Sequence, residues 1–105
     1  MTDSKAKFSV GELVHHLLFD YRGAIFDVDA EFQGSEEWYA QMARSQPPRD
    51  EPWYHVLVHN GRHTTYVAEQ NLEEDLGKDP IHHPLIEEFF DGFENSHYII
   101  RRRAN

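Results

Sequence analysis

Residues 52–72 read PWYHVLVHNGRHTTYVAEQNL, and this stretch decides the fold. Trp53 to Val58 is rich in aromatic and β-branched side chains, which suit a pleated, half-buried surface. Asn60-Gly61 behind it is the strongest short-range hairpin signal, because a type I′ turn needs positive φ at both central residues. His63 to Ala68 is then the returning strand. A two-residue loop pairs Val58 with His63, Val56 with Thr65 and Tyr54 with Val67. That face is mainly apolar and is expected to point inward, leaving His55, Leu57, His59, Arg62, Thr64 and Tyr66 on the opposite side. Trp53 and Tyr54 must face opposite ways. With Tyr54 in the core, Trp53 is either an exposed anchor for a partner or packed beneath the acidic segment that follows, and the packed arrangement is the favoured reading.

Outward from the hairpin, Phe8 to Phe19 reads as a strand region bent at Gly11-Glu12. A turn at Asp20-Tyr21-Arg22-Gly23 leads into a second strand, Ala24 to Asp29. Ala24, Phe26 and Val28 are expected on one of its faces, and Ile25, Asp27 and Asp29 on the other. The period then changes. Ser35 suits a helix N-cap, Glu36 and Glu37 suit the first turn, and Trp38, Tyr39, Met42 and Ala43 form one stripe. Pro47-Pro48 stops that helix, predicted from Ser35 to about Ser45. Glu69 to Asp79 reads as an acidic loop. Pro84 at N1 opens a second helix with Leu85, Ile86, Phe89 and Phe90 on one face, ended by Asp91-Gly92. A short strand at His97 to Ile100 precedes a basic tail. Short strands, tight turns and two short helices predict a mainly β fold: a small, bent antiparallel barrel of the SH3-like kind.

A chain of 105 residues supports one domain, with residues 1–7 as an N-terminal arm and 101–105 as the tail. It has no cysteine, which excludes disulfides, thiolate metal sites and cysteine nucleophiles. Its start lacks the apolar run of a secretory signal, and no stretch approaches the ~18 apolar residues of a membrane span. A cytoplasmic protein is expected. Ten basic against nineteen acidic residues give a formal charge of −9. Nucleic-acid affinity comes largely from Lys and Arg neutralising phosphates, so this balance counts against it unless a local basic patch forms.

Three segments together resemble the heat-shock HspQ family, also described as the hemimethylated-DNA-binding YccV-like domain. They are residues 7–32, KFSVGELVHHLLFDYRGAIFDVDAEF, then the opening stretch 52–72, and HPLIEEFFDGF over 83–93. Residues 33–50 are where members are expected to vary, and Asp29-Ala30 stands where the family often has Asp-Pro. The resemblance implies an SH3-like barrel and a heat-shock (stress-response) role. It also implies two activities. One is promoting degradation of particular or denatured proteins, the replication initiator among them, by the Lon protease. The other is binding hemimethylated DNA.

The candidate binding residues are Arg22 and Gly23 in the first turn, Trp53, His55 and Tyr66 on the hairpin strands, and Arg62 in the hairpin turn. Arg22 and Arg62 would line one end of the barrel and touch phosphates, against the commoner reading of both as solvated surface. His55, His59 and His63 suggest zinc, but His55 and His59 sit about 13 Å apart at ~3.3 Å per residue and His63 points the other way. Asp27, Asp29 and Glu31 alternate like paired hydrolase carboxylates, but a solvated strand face is the ordinary reading. No nucleophile triad and no phosphate-cradling loop is present. The expectation is a non-enzymatic binding module without cofactor or metal. Its partners are expected to be a Lon-like protease and its clients or, as the alternative, hemimethylated DNA. Edge strands leave a homodimer or homotrimer open.

Overall fold

The computed structural model describes residues 6–101. Seven strands, all paired antiparallel, and two short helices make up a mainly β, barrel-like fold. β1 (Leu13–His16), β2 (Arg22–Asp29), β3 (Trp53–Val58), β4 (Thr64–Ala68) and β5 (Leu72–Glu74) form one sheet in the order β4-β3-β2-β1-β5. β6 (Phe90–Glu94) and β7 (His97–Ile100) form a separate hairpin. The two edge strands of the large sheet, β4 and β5, are joined only by a 3-10 turn at Glu69–Asn71. Laid flat, they would be separated by four strand spacings, roughly 19 Å, which three residues do not span. The sheet must therefore curl, and this connection makes the barrel.

Its interior is lined by Val14, Ile25, Tyr54, Val56, Val67 and Leu72 with Phe8. The outer face is covered twice. The β6–β7 hairpin and Ile81 pack over Leu13, Ala24 and Leu57. Helix α1 (Glu36–Met42) and Phe32 pack over Trp53 and Ala68. Gly11 makes the first covering possible. It sits at φ +96°, and a Cβ there would lie 2.2 Å from the Tyr98 carbonyl oxygen. Its own carbonyl accepts from Tyr98 N–H at 2.8 Å, so the small hairpin hangs on this point.

The predicted β3–β4 register holds, with Val56 opposite Thr65 and Tyr54 opposite Val67. The loop is wider than two residues, because the ladder ends at Leu57–Thr64. Asn60 alone has positive φ, so the turn is not type I′. The two successive positive-φ residues are Asn95 (53°) and Ser96 (60°), which join β6 to β7. In β2 a bulge at Phe26 resets the alternation: Ile25 faces Val56, and Asp27 faces His55. Val28 accordingly packs inside with Ile25 rather than with Ala24 and Phe26.

Other expectations are corrected. Phe8–Phe19 is a strand only over β1, and the turn occupies residues 17–19, so Arg22 and Gly23 open β2 instead of lying in a turn. The predicted acidic loop contains β5. The second helix, α2, is only Ile86–Phe89, so Pro84 is not its first residue. Gly92 lies in β6 and does not cap a helix. Ser35 does cap α1, its hydroxyl accepting from Trp38 N–H at 3.0 Å, but the helix ends at Met42. Of the tail, only Arg101 is described, and of the arm only residues 6 and 7.

Candidate functional site

Arg22 enters β2 with its guanidinium turned along the sheet. Its Nε lies 2.9 Å from the Asp75 carboxylate, and its Nη2 donates to the Asp79 carbonyl. The charge is thus paired within the protein. Gly23 is buried, and a Cβ there would meet Val56 Cγ1 at 2.4 Å and the Leu57 carbonyl at 2.6 Å. Its role is close packing of β2 on β3. Arg62 lies exposed in the β3–β4 turn.

Trp53 is 1% exposed and is not a surface anchor. It is packed, but beneath Phe32, Trp38 and Tyr39 rather than beneath the acidic segment. Its indole N–H donates to the Pro48 carbonyl at 3.0 Å. Tyr66 lies tilted beside it, centroids 5.2 Å apart, and His55 follows at 4.5 Å from Tyr66. Tyr66 hydroxyl donates to Asp29 Oδ2 (2.7 Å) and accepts from Gln33 N–H (2.9 Å). Burial and the Asp29 carboxylate push its pKa up, so it stays protonated. His55 Nε2 lies 3.1 Å from the same oxygen.

The bulge at Phe26 brings Asp27, Asp29 and His55 together, with ligating atoms within 4.8 Å of one another. Among the described residues this is the one group with a donor set a divalent cation could use. The Asp29 oxygen already accepts from Tyr66 and faces His55, so hydrogen bonding accounts for the arrangement. His59 and His63 are not near it. His59 Nδ1 accepts from His82 N–H (2.9 Å), and His83 Nε2 lies 3.0 Å from the His63 carbonyl.

A groove of about 560 Å³ runs along the whole length of β4. One wall is Trp38, Met42 and Ala43. The other is the 17–19 turn with Tyr21. Leu18 (57% exposed), Phe19 (71%) and Met42 (62%) are exposed along it, with the Phe19 ring stacked on His16 at 4.8 Å. The turn is held open by His16, whose Nδ1 accepts from both Leu18 and Phe19 N–H at 3.1 Å. Burial pushes the His16 pKa down, keeping that nitrogen free to accept. Asn71 ties the walls at one end: its carbonyl accepts from Leu17 N–H (2.9 Å) and its amide donates to Ser45 (3.4 Å).

Residues 6–97 match the family described as hemimethylated DNA-binding protein YccV like. The chain belongs to the YccV-like family. It is also similar to F-box only protein 21 of Pongo abelii and of Homo sapiens, 31% identical over 94 residues in each case. The match covers 88% of this chain but 15% of each relative, so the chain corresponds to a small part of those proteins.

On this YccV-like domain, sequence reasoning placed His55 and Tyr66 on one face and favoured a packed Trp53, though under the acidic segment and not under Phe32, Trp38 and Tyr39. It missed Leu18 and Phe19, whose apolar letters read as strand, and Met42, which leaves the helix stripe to face the groove. Among the described residues Arg49 is paired with Glu36, Lys78 with Glu74 and Arg101 with Asp91, in addition to Arg22 with Asp75. No helix among them is long and apolar enough to cross a membrane.

Proposed function

We propose that this YccV-like chain is a non-enzymatic binding module for proteins, acting under heat stress as an adaptor of a Lon-type protease toward specific or denatured clients, the replication initiator among them. The observation that carries the reading is the apolar groove along β4, with Leu18, Phe19 and Met42 exposed beside it. Monomeric proteins rarely leave such side chains grouped without a partner. Charge supports the same choice. A net charge of −9, with Arg22, Arg49, Lys78 and Arg101 engaged by acidic groups, gives poor steering toward phosphate and predicts weak, salt-sensitive DNA binding.

Hemimethylated DNA is the second reading, favoured by the family description and by exposed Arg62. Both are tested together. Degradation of a heat-denatured client and of the replication initiator by a Lon-type protease is followed with and without the chain. In parallel, the chain is titrated onto hemimethylated and fully methylated duplexes at ~150 mM salt. Faster degradation with weak, methylation-blind DNA binding is expected. Tight, methylation-selective binding with unchanged degradation overturns the proposal.

A further inference from the structure

We infer that the β4 groove takes an extended, apolar segment of an unfolded polypeptide flanked by basic residues, added to the sheet as a sixth strand. This rests on the reading of the chain as a module for protein clients and names what that site recognises.

The register leaves one backbone edge of β4 without a strand partner among the described residues. β4 ends the sheet order. Val58 N–H donates to His63 and Glu69 N–H to Pro52, so the odd-numbered residues of this stretch bond back to β3. In an antiparallel ladder the intervening residues then point their backbone groups away. Thr64 and Tyr66 thus present N–H and C=O along the free edge, which is the hydrogen-bonding template for an incoming strand.

Apolar walls flank that edge on both faces of the sheet. Thr64 and Tyr66 share the face of Leu57 and His55, above which stand Trp38 and Met42. Thr65 and Val67 share the opposite face with Val56 and Tyr54, toward Tyr21, Leu18 and Phe19, and Tyr21 hydroxyl meets Thr65 Oγ1 at 2.6 Å. Successive side chains of an added strand would alternate between these two apolar walls. A five-residue strand spans roughly 17 Å. The edge is open at the Thr64 end and closed at the other by Asn71.

Charge and size select the occupant. Asp20 follows Phe19 at one rim, and Asp29 stands beside His55 and Tyr66 in the adjoining smaller recess. Among the described residues, Arg44 is the one Lys or Arg lining the groove, and no Asp or Glu lines it, so the acidic groups stand at its rims. The rim carboxylates and the net charge of −9 favour basic flanks beyond the apolar segment and oppose docking of a second, equally acidic copy. Pairing of two five-residue edges also covers far less than the roughly 800 Å² per partner of a standard interface.

The test uses the full chain and a fluorescein-labelled peptide, KKVTFLVTKK, with DDVTFLVTDD and a proline-interrupted form as controls. Anisotropy should show binding in the order basic, then acidic, then proline-interrupted. Amide exchange at Thr64 and Tyr66 should slow on binding. Thr64→Pro removes an edge donor at a strand's first residue, where proline is tolerated. Phe19→Ser and Met42→Ser each remove an exposed wall. Each variant should weaken binding roughly tenfold while circular dichroism stays unchanged. Binding indifferent to all three variants, exchange changes confined to other strands, or a β4-dependent dimer in sedimentation would each overturn the inference. If the chain accelerates degradation without binding the peptide, this inference fails and the adaptor reading stands. If it binds through β4 without affecting degradation, the reverse holds.

Discussion

β5, at one end of the five-stranded sheet, offers three residues, and two of them are glutamates; β4, at the other end, offers five and carries no charge. Around β5, Glu73 pairs with His15 (2.8 Å), Glu74 stands 4.0 Å from Lys78, and Asp75 holds Arg22. Around β4 there are aromatic rings and exposed apolar side chains. Shortness and charge are how sheets discourage strangers from pairing with an edge. One edge of this barrel is guarded in that way and the other is left open between apolar walls. The contrast teaches that exposure of β4 is not a general looseness of the fold, since the same sheet solves the problem at its other end.

The largest effect is expected where the open edge rests on the core. Trp53→Ala removes the buried ring that supports Trp38, Tyr39 and Tyr66, and should cost about 3–5 kcal/mol of stability. Urea denaturation reads this directly, and peptide binding should be lost with it. A loss below about 1 kcal/mol would show that the aromatic wall does not depend on Trp53. On the guarded side, Asp75→Ala leaves the half-buried Arg22 guanidinium without its carboxylate, and about 1–3 kcal/mol is expected. Binding at β4 should survive that change under native conditions.

Exchanging the character of the edges should move stability little, within about 0.5 kcal/mol, because the sites are exposed. Glu73→Val with Glu74→Val should make β5 adhesive, seen as concentration-dependent light scattering at 25 °C and above. Thr64→Lys should guard β4 and weaken the peptide without promoting association. If the valine pair stays monodisperse, charge is not what protects β5.

How much of this was legible follows from which contacts are local. The β3–β4 register was readable because alternation and a turn signal lie within one short segment. β5 was not, since Leu72-Glu73-Glu74 has no pattern of its own and becomes a strand only by lying against β1. β6 was masked by Phe89, Phe90 and Asp91-Gly92, which mimic a capped helix, while the turn-defining pair Asn95-Ser96 lacks the glycine expected there. The bulge at Phe26, which gathers Asp27, Asp29 and His55, has no sequence mark. Nor does the exposed turn of Leu18 and Phe19. Its apolar residues look like core, and what turns them outward is a buried histidine accepting two backbone bonds. The folding class and the Trp53–Tyr66 face were readable; the groove depended on tertiary placement.

That histidine gives the smallest and most specific prediction, because β1 carries two neighbours with opposite pH behaviour. His15 lies between Asp20 (2.6 Å) and Glu73 (2.8 Å), whose hydrogen bonds raise its pKa. Its contribution is fully present below the ordinary histidine value near 6.5 and is lost as pH rises through the raised value. His16 is buried and its pKa is lowered. Its contribution is fully present above about 6.5 and is lost as pH falls through the lowered value. Acidification therefore strengthens the link to the guarded edge while protonating Nδ1, which breaks the Leu18 and Phe19 bonds and loosens a wall of the open one. His59, also lowered by burial, titrates in the same direction as His16 but away from the groove, so the variants are compared with the parent at each pH. His15→Ala should flatten the decline in stability above pH 6.5, and His16→Asn the decline below it. Asparagine keeps an acceptor for the turn without a titrating proton. Peptide affinity of the parent should fall several-fold between pH 7.5 and 5.5, on the order expected for losing two neutral hydrogen bonds in part, and that of His16→Asn should not. An equal fall in both proteins would place the pH response elsewhere than in the wall that His16 supports.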